Sequence, residues 1–202
     1  MKKALILLIM LAGVSLLQAQ VRRTPVQRTQ TQQRSTAQTT TRAFTLANGK
    51  LGPIQTGQRF VNIPATYAGL YDKYTYRKEE MGGEGGDEWI EEYYQFTKAG
   101  KKVFRALISE GKIISIELQE GSASIIKTQE GYYVGYPART LFTKKRMEWI
   151  TYYEGTSFAT SGHYTYYVNS DDLIDIEPTN VNHFKPNAKV CMISYNLNVE
   201  TY

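Results

Sequence analysis

Between residues 101 and 118 apolar side chains recur at every second position, and this period restricts the fold more than any other feature of the chain. Phe104, Ala106 and Ile108 fall on one side of an extended strand. Ser109-Glu110-Gly111-Lys112 supplies a turn, and Ile114, Ile116 and Leu118 return on the same side. Side chains along a strand alternate between two faces, so the pattern predicts a hairpin with one apolar face. From Phe44 onward Tyr, Ile, Val and Thr keep to short alternating runs broken by Gly, Asn and Asp, which predicts strands, and long helical periods are absent. Pro137–Lys145 is the clearest helical segment, with proline suited to the first turn and lysines to the last; a weaker counterpart is Gln58–Tyr67.

Two phrases occur twice. Ser161-Gly162 opens Tyr164, Tyr166 and Val168 on one face, Asn169-Ser170-Asp171-Asp172 turns, and Leu173–Glu177 returns, matching Ile113–Glu117 of the first hairpin. Upstream, Gly52–Gly57 followed by Ile63-Pro64 echoes Gly131–Gly135 followed by Tyr136-Pro137. The fold expected is α+β and sheet-dominated, built from duplicated units of a short helix and an antiparallel meander, about 44–120 and 121–202. The repeat leaves open whether the units share one sheet. The first copy is longer, and its excess contains GGEGGDE, residues 82–88, between the alternating runs Tyr71–Glu80 and Trp89–Phe96. That placement predicts the tip of an elongated hairpin.

A glycine phrase before a short helix, then a meander ending in Ile-x-Ile-Glu, resembles the folds of the β-lactamase inhibitor protein and the small outer-membrane lipoproteins related to it. The resemblance covers most of 44–178. It implies a binding module without catalysis, working through protein contacts in the bacterial envelope. The inhibitor's disulfides have no counterpart in a chain whose one cysteine is Cys191, and no inhibitory loop is recognisable. Inhibition of a β-lactamase is therefore not carried over.

The N-terminal segment reads as an address. Lys2 and Lys3 precede an apolar run from Ala4 to Leu17, with a small-residue site at Ala19, the pattern of a secretory signal peptide over 1–19. The run is shorter than the roughly 18–20 residues a helix needs to cross a bilayer, so no transmembrane segment is expected in the mature chain. Cleavage after Ala19 leaves Gln20 rather than a cysteine, which argues against a lipoprotein and for an exported protein, periplasmic or extracellular. Residues 20–42 hold five arginines, no acid and almost nothing apolar, and are expected to form a disordered basic linker. Without that linker and the two leader lysines, 17 basic and 19 acidic residues remain, a net charge of −2. A nucleic-acid partner is not expected of such a domain.

The motifs that suggest chemistry do not hold together. GGEGGDEWI fits the calcium nonapeptide G-G-x-G-x-D-x-U-x, but in such arrays the ion sits between neighbouring copies, and this chain has one. The Gly82–Asp87 loop is expected to be a hairpin tip that binds calcium weakly at most. Ser124–Lys127 fits S-x-x-K, yet Ile125-Ile126 favours a strand that sends Ser124 and Lys127 to opposite faces. His163, His183 and Cys191 show no metal-ligand or thiol–imidazole spacing. A surface histidine and a buried inert thiol are expected. No enzyme, metal or cofactor follows.

Sixteen tyrosines are the least ordinary feature. Alternation puts Tyr94, Phe96, Phe104, Tyr164 and Tyr166 on the core face and leaves Trp89, Tyr93, Tyr152 and Tyr167 for the outer one. Exposed Trp and Tyr offer a partner rigid area with a hydrogen-bonding tip. The expected function is an exported, non-catalytic binding or adaptor module of the cell envelope with a protein partner. The alternative is a carbohydrate-binding protein that stacks polysaccharide on those four aromatics.

Overall fold

The hairpin read from residues 101–118 is present, as β6 (Lys101–Ser109) and β7 (Lys112–Leu118). Its two-residue turn is Glu110-Gly111, with φ of 50° and 71°. Left-handed φ at both positions is the geometry that keeps a hairpin's strands in their natural twist. The pairing carries one irregularity that the alternation does not show. Ile108 faces Ile113 and Leu107 faces Ser115, so Ile114 is an extra residue in the ladder. This β-bulge buries Ile113, and Ile114 is only half-buried.

The structure, a computed structural model, describes residues 42–61, 63–82, 88–145, 149–153, 156–174 and 180–198, and for 149–153 and 156–158 the backbone alone. The leader, residues 20–41 of the linker and all of the Gly82–Asp87 loop after Gly82 lie outside the described residues. Arg42 was expected to close the linker but is part of the fold: its Nε donates to Ala123 O at 2.8 Å, and its guanidinium lies 3.2 Å from the Tyr133 ring centre.

Eight strands form one antiparallel sheet. Its order is β4 (Lys73–Gly82), β5 (Glu88–Lys98), β6, β7, β12 (Val190–Asn196), β11 (Tyr164–Asn169), β10 (Thr156–Ser161) and β9 (Trp149–Tyr153). The order is palindromic. Each half of the chain supplies a four-strand meander, and the last strands of the two, β7 and β12, pair at the centre. β1 (Phe44–Leu46) and β8 (Ile126–Thr128) pair in parallel, Phe44 opposite Ile126. β2 (Lys50–Leu51) and β3 (Ile54–Gln55) make a short hairpin of their own.

Register aligns the residues of the core face into rows across the sheet. One runs Tyr74, Phe96, Phe104, Leu118, Ile193, Tyr166, Ala159, and the next Tyr76, Tyr94, Ala106, Ile116, Tyr195, Tyr164. Leu46, Leu51, Ile54, Leu70, Tyr71, Ile126, Val134 and Leu141 share one hydrophobic cluster with these rows. Leu141 comes from α1 (Ala138–Lys144), the helix expected from Pro137–Lys145. The fold is sheet-dominated, with one α-helix among the described residues.

Close approach explains one glycine. Gly49 has φ of +70°, and a Cβ there would meet Tyr195 Cε1 at 2.8 Å and Thr56 Oγ1 closer still. The turn before β2 can pack against the sheet only with glycine at that position.

Two further expectations change. Gln58–Tyr67 contains no helix among its described residues; Pro64 keeps Ile63 out of the helical region, and Arg59 instead bridges to Lys112 of the sheet. Leu173 was read as starting the returning arm of the second hairpin. It makes an isolated bridge to Phe184, while β11 takes β12 as its antiparallel partner. Residues Asp171 and Asp172 belong to a 3-10 turn (Ser170–Asp172), and 175–179 lie outside the described residues. The local phrase matched, but burying Val190, Ile193 and Tyr195 beside β7 decided which segment pairs.

Candidate functional site

The same pleat that aligns the core rows aligns polar rows on the outer face. Thr75, Gln95, Arg105, Glu117, Ser194, Thr165 and Thr160 lie side by side from β4 to β10, and Arg77, Tyr93, Leu107, Ser115 and Asn196 form the adjacent row. Gln95, Ser115, Glu117, Thr165 and Ser194 are buried although polar. Burial of such groups is tolerable only when they are hydrogen-bonded, and they are.

Arg105 organises the centre. Its Nε donates to Glu117, its second arm reaches Glu91 Oε2 at 2.9 Å, and its guanidinium carbon lies 5.2 Å from the Tyr93 ring centre. Burial pushes the Glu117 carboxyl above the ordinary carboxylate range, and Arg105 pulls it the other way without cancelling the rise. Burial also works against the charge of Arg105, but Glu117 and Glu91 outweigh it and hold the guanidinium firmly protonated. Next to this pair, Gln95 Nε2 is shared among Phe104 O, Phe96 O and Gln119 Oε1, at 3.0, 3.1 and 2.8 Å. On the far side of β7, Ser115 Oγ donates to Asn196 Oδ1 at 2.8 Å, and Asn196 Nδ2 contacts Thr165 Oγ1 and Ser194 Oγ at 3.3 Å. The outer face is thus a cross-linked polar lattice.

The four aromatics chosen from sequence part company here. Trp89 lies on the outer face opposite Met81 and is 50 % exposed. Tyr93 shares that face but is only 7 % exposed, lodged beside Arg105, and donates its hydroxyl to Glu79 Oε1 at 2.7 Å. Burial, then the bond to Glu79, raise the Tyr93 pKa. Tyr167 is half-buried on the outer face; burial raises its pKa and a hydrogen bond with Ser194 opposes the rise. Tyr152 pairs with Ser157, which faces Val168, so the register puts position 152 in a core row rather than the outer row expected; its side chain lies outside the described residues. Of the described three, Trp89 alone is exposed, so Trp89, Tyr93 and Tyr167 do not form one open aromatic platform.

Sequence reasoning missed Arg105, Glu117 and Gln95. A perfectly regular hairpin would set Arg105 opposite Ile116. The bulge at Ile114 shifts the register by one and brings Arg105 opposite Glu117. Charged residues at outer positions between core residues were the visible signal; their pairing was not.

The other candidates are engaged in structure. Ser124 lies in a turn and Lys127 on β8, so no helical turn joins them. The His163 ring stacks on Tyr195 at 5.1 Å, and its Nδ1 lies 2.8 Å from Asn196 O. The Cys191 thiol is half-buried and donates to Tyr167 O at 3.3 Å. Burial raises its pKa to about 11. Its alkylation by iodoacetamide at pH 8 is expected to run on the order of a hundredfold slower than for a free cysteine, and to climb about tenfold per pH unit toward that pKa. A rate equal to that of a free thiol would contradict this environment. Among the described residues, no helix is long and apolar enough to cross a membrane, and no three His, Cys, Asp or Glu side chains are grouped to hold a metal ion.

A single sheet built from two meanders, cored on one face by short strands and a helix and bearing a polar lattice on the other, places this chain in the sheet-dominated α+β class. Neither a protein family nor a curated protein sequence matches it. Its fold is similar to the crystal structure of the uncharacterized protein YfeY from Escherichia coli, with a TM-score of 0.50 and 13 % sequence identity over 77 % of this chain and 99 % of that one.

Proposed function

We propose that the chain is an exported, non-catalytic binding module of the bacterial cell envelope that contacts a protein partner through the outer face of its sheet. The observation that carries this reading is the half-exposed Trp89 at the end of a face whose central side chains, Tyr93, Gln95, Arg105 and Glu117, are tied by hydrogen bonds. A preordered polar surface with one large aromatic at its margin binds with little loss of side-chain entropy. The leader pattern of residues 1–19 supports export, and the basic residues 20–42 suit a tether. Two meanders in palindromic order, with β1 beside β8, support a duplicated origin for the two halves, as the resemblance to the β-lactamase inhibitor protein and its lipoprotein relatives implies.

The carbohydrate alternative keeps one specific observation, the open ring of Trp89, and loses Tyr93 as a second stacking platform because that ring is buried.

The test is capture from detergent-solubilised envelope and from purified polysaccharides, using residues 20–202 beside residues 42–202, which keep Arg42 in its place in the fold. An identified envelope protein retained by both, and reduced at least tenfold by Trp89→Ala with no change in melting temperature, is the expected result. Capture of polysaccharide instead would support the alternative, and retention lost with residues 20–41 would move the function into the basic segment. Turnover of an envelope substrate that disappears on changing Cys191 or Ser124 would defeat the non-catalytic reading.

A further inference from the structure

Among the described residues β4 is an edge strand: β5 is its neighbour on one side, and no strand pairs with its other side. It is also long and regular. Ten consecutive residues from Lys73 to Gly82 pair with β5 without a register shift. Its side chains are exposed over most of its length. Exposed edges of this kind are templates for another strand, and proteins blunt them with prolines, bulges or charges, which keep out a strand whose own charges do not complement them. β4 has neither proline nor bulge, and its charges are of both signs.

The order of those charges selects the partner. Arg77-Lys78-Glu79-Glu80 places two cations before two anions, so the strand is antisymmetric in charge. A strand that joins a second copy of itself antiparallel does so about a two-fold axis normal to the sheet, and both copies then show the same face. Opposed residues must share a face, so the axis has to pass through a residue, not between two. With the axis at Lys78, Arg77 lies opposite Glu79 of the second copy, and Glu79 opposite its Arg77. The four side chains make a square of alternating charge on the outer face. The two Lys78 ammonium groups then meet on the core-face side, each already 3.1 Å from Glu92 of its own β5. Arg77 has no ion-pair partner among the described residues, so this pairing adds attraction to a free cation. Tyr76, on the edge strand itself and 49 % exposed, adds apolar area to the contact.

We propose that this edge is a homodimer interface, with β4 of two copies pairing antiparallel about Lys78 to make a continuous sixteen-stranded sheet. The inference is independent of the envelope reading, since it concerns self-association alone.

The test is sedimentation velocity of the purified chain across concentration, with circular dichroism to confirm folding of each variant. A reversible dimer is expected at micromolar concentration, weakening as salt rises. Arg77→Glu and Glu79→Arg are each expected to weaken association at least tenfold, and the combined exchange to restore it. Because Glu79→Arg also removes the bond from Tyr93, a second measurement guards against a folding defect. In a Cys191→Ser background, Lys78→Cys should form an intermolecular disulfide under mild oxidation, because a residue on the axis faces its own copy at bridging distance. Tyr76→Cys and Glu80→Cys should not. Monomer behaviour up to about 500 µM, or a dimer indifferent to the charge exchange and to Lys78→Cys, would overturn the proposal.

Discussion

Arg105→Ala is expected to destabilise the protein by about 3–5 kcal/mol at neutral pH, the usual cost of removing one member of a buried ion pair. The deleted guanidinium leaves Glu117, 7 % exposed, and Glu91 without their shared cation. The loss should shrink on acidification. Burial already lifts the Glu117 pKa, and removing Arg105 takes away the charge and the hydrogen bond that hold it down. A carboxyl whose folded pKa is raised binds more protons folded than unfolded between the ordinary carboxylate value, about 4.3, and the folded one. Its contribution to stability is therefore largest below about pH 4.3 and is lost as pH rises through the folded pKa. Urea melts of parent and variant at pH 4.5 and pH 7 measure this directly. A deficit that is the same at both pH values would mean that Glu117 does not depend on Arg105. Arg105→Met with Glu117→Leu is expected to recover much of the loss, because a desolvated pair is often matched by apolar side chains of similar volume.

The second large effect is expected in the core. Phe104→Ala should cost about 3–5 kcal/mol, from lost apolar burial and the cavity left behind. Phe104 is fully buried, its ring stacks on Phe96 with centroids 4.2 Å apart, and Tyr71 meets it edge-on at 6.0 Å. These three rings join β5 and β6 to the segment that leads into β4, so the void cannot be filled by movement of one side chain. At roughly 2–4 °C per kcal/mol for a domain of this size, the melting temperature should fall by about 10 °C. Phe104→Leu should cost less than half as much, because most of the buried volume remains. A loss below about 1.5 kcal/mol for the alanine variant would show that the site collapses around the deletion.

The face of most of these residues was legible without coordinates. Phe96, Phe104 and Tyr166 were assigned to the core by alternation and are fully buried, and both arms of the 101–118 hairpin and the helix after Pro137 lie where their patterns put them. The ends of the β4–β5 hairpin also agree, with Gly82 opposite Glu88. What failed did so where the answer depended on a neighbour. Tyr93 has the parity of an outer residue and still is buried, because Glu79 and Arg105 arrive from the strands on either side. Tyr152 went to the wrong face because the period of two inside Trp149–Tyr153 carries no absolute phase until β10 supplies one.

By itself, then, the sequence determined that the folded part is sheet-dominated, where several strands begin and end, and which of their side chains can share a face. Those properties follow from the two-residue repeat of an extended backbone and from turn residues that tolerate left-handed angles. Only the tertiary structure decided that two meanders meet in one sheet through β7 and β12, that a bulge at Ile114 sets Arg105 against Glu117, and that β4 is left at an edge. The physical reason is that every strand offers the same backbone donors and acceptors to any partner, and selection among partners comes from burying whole rows of side chains at once.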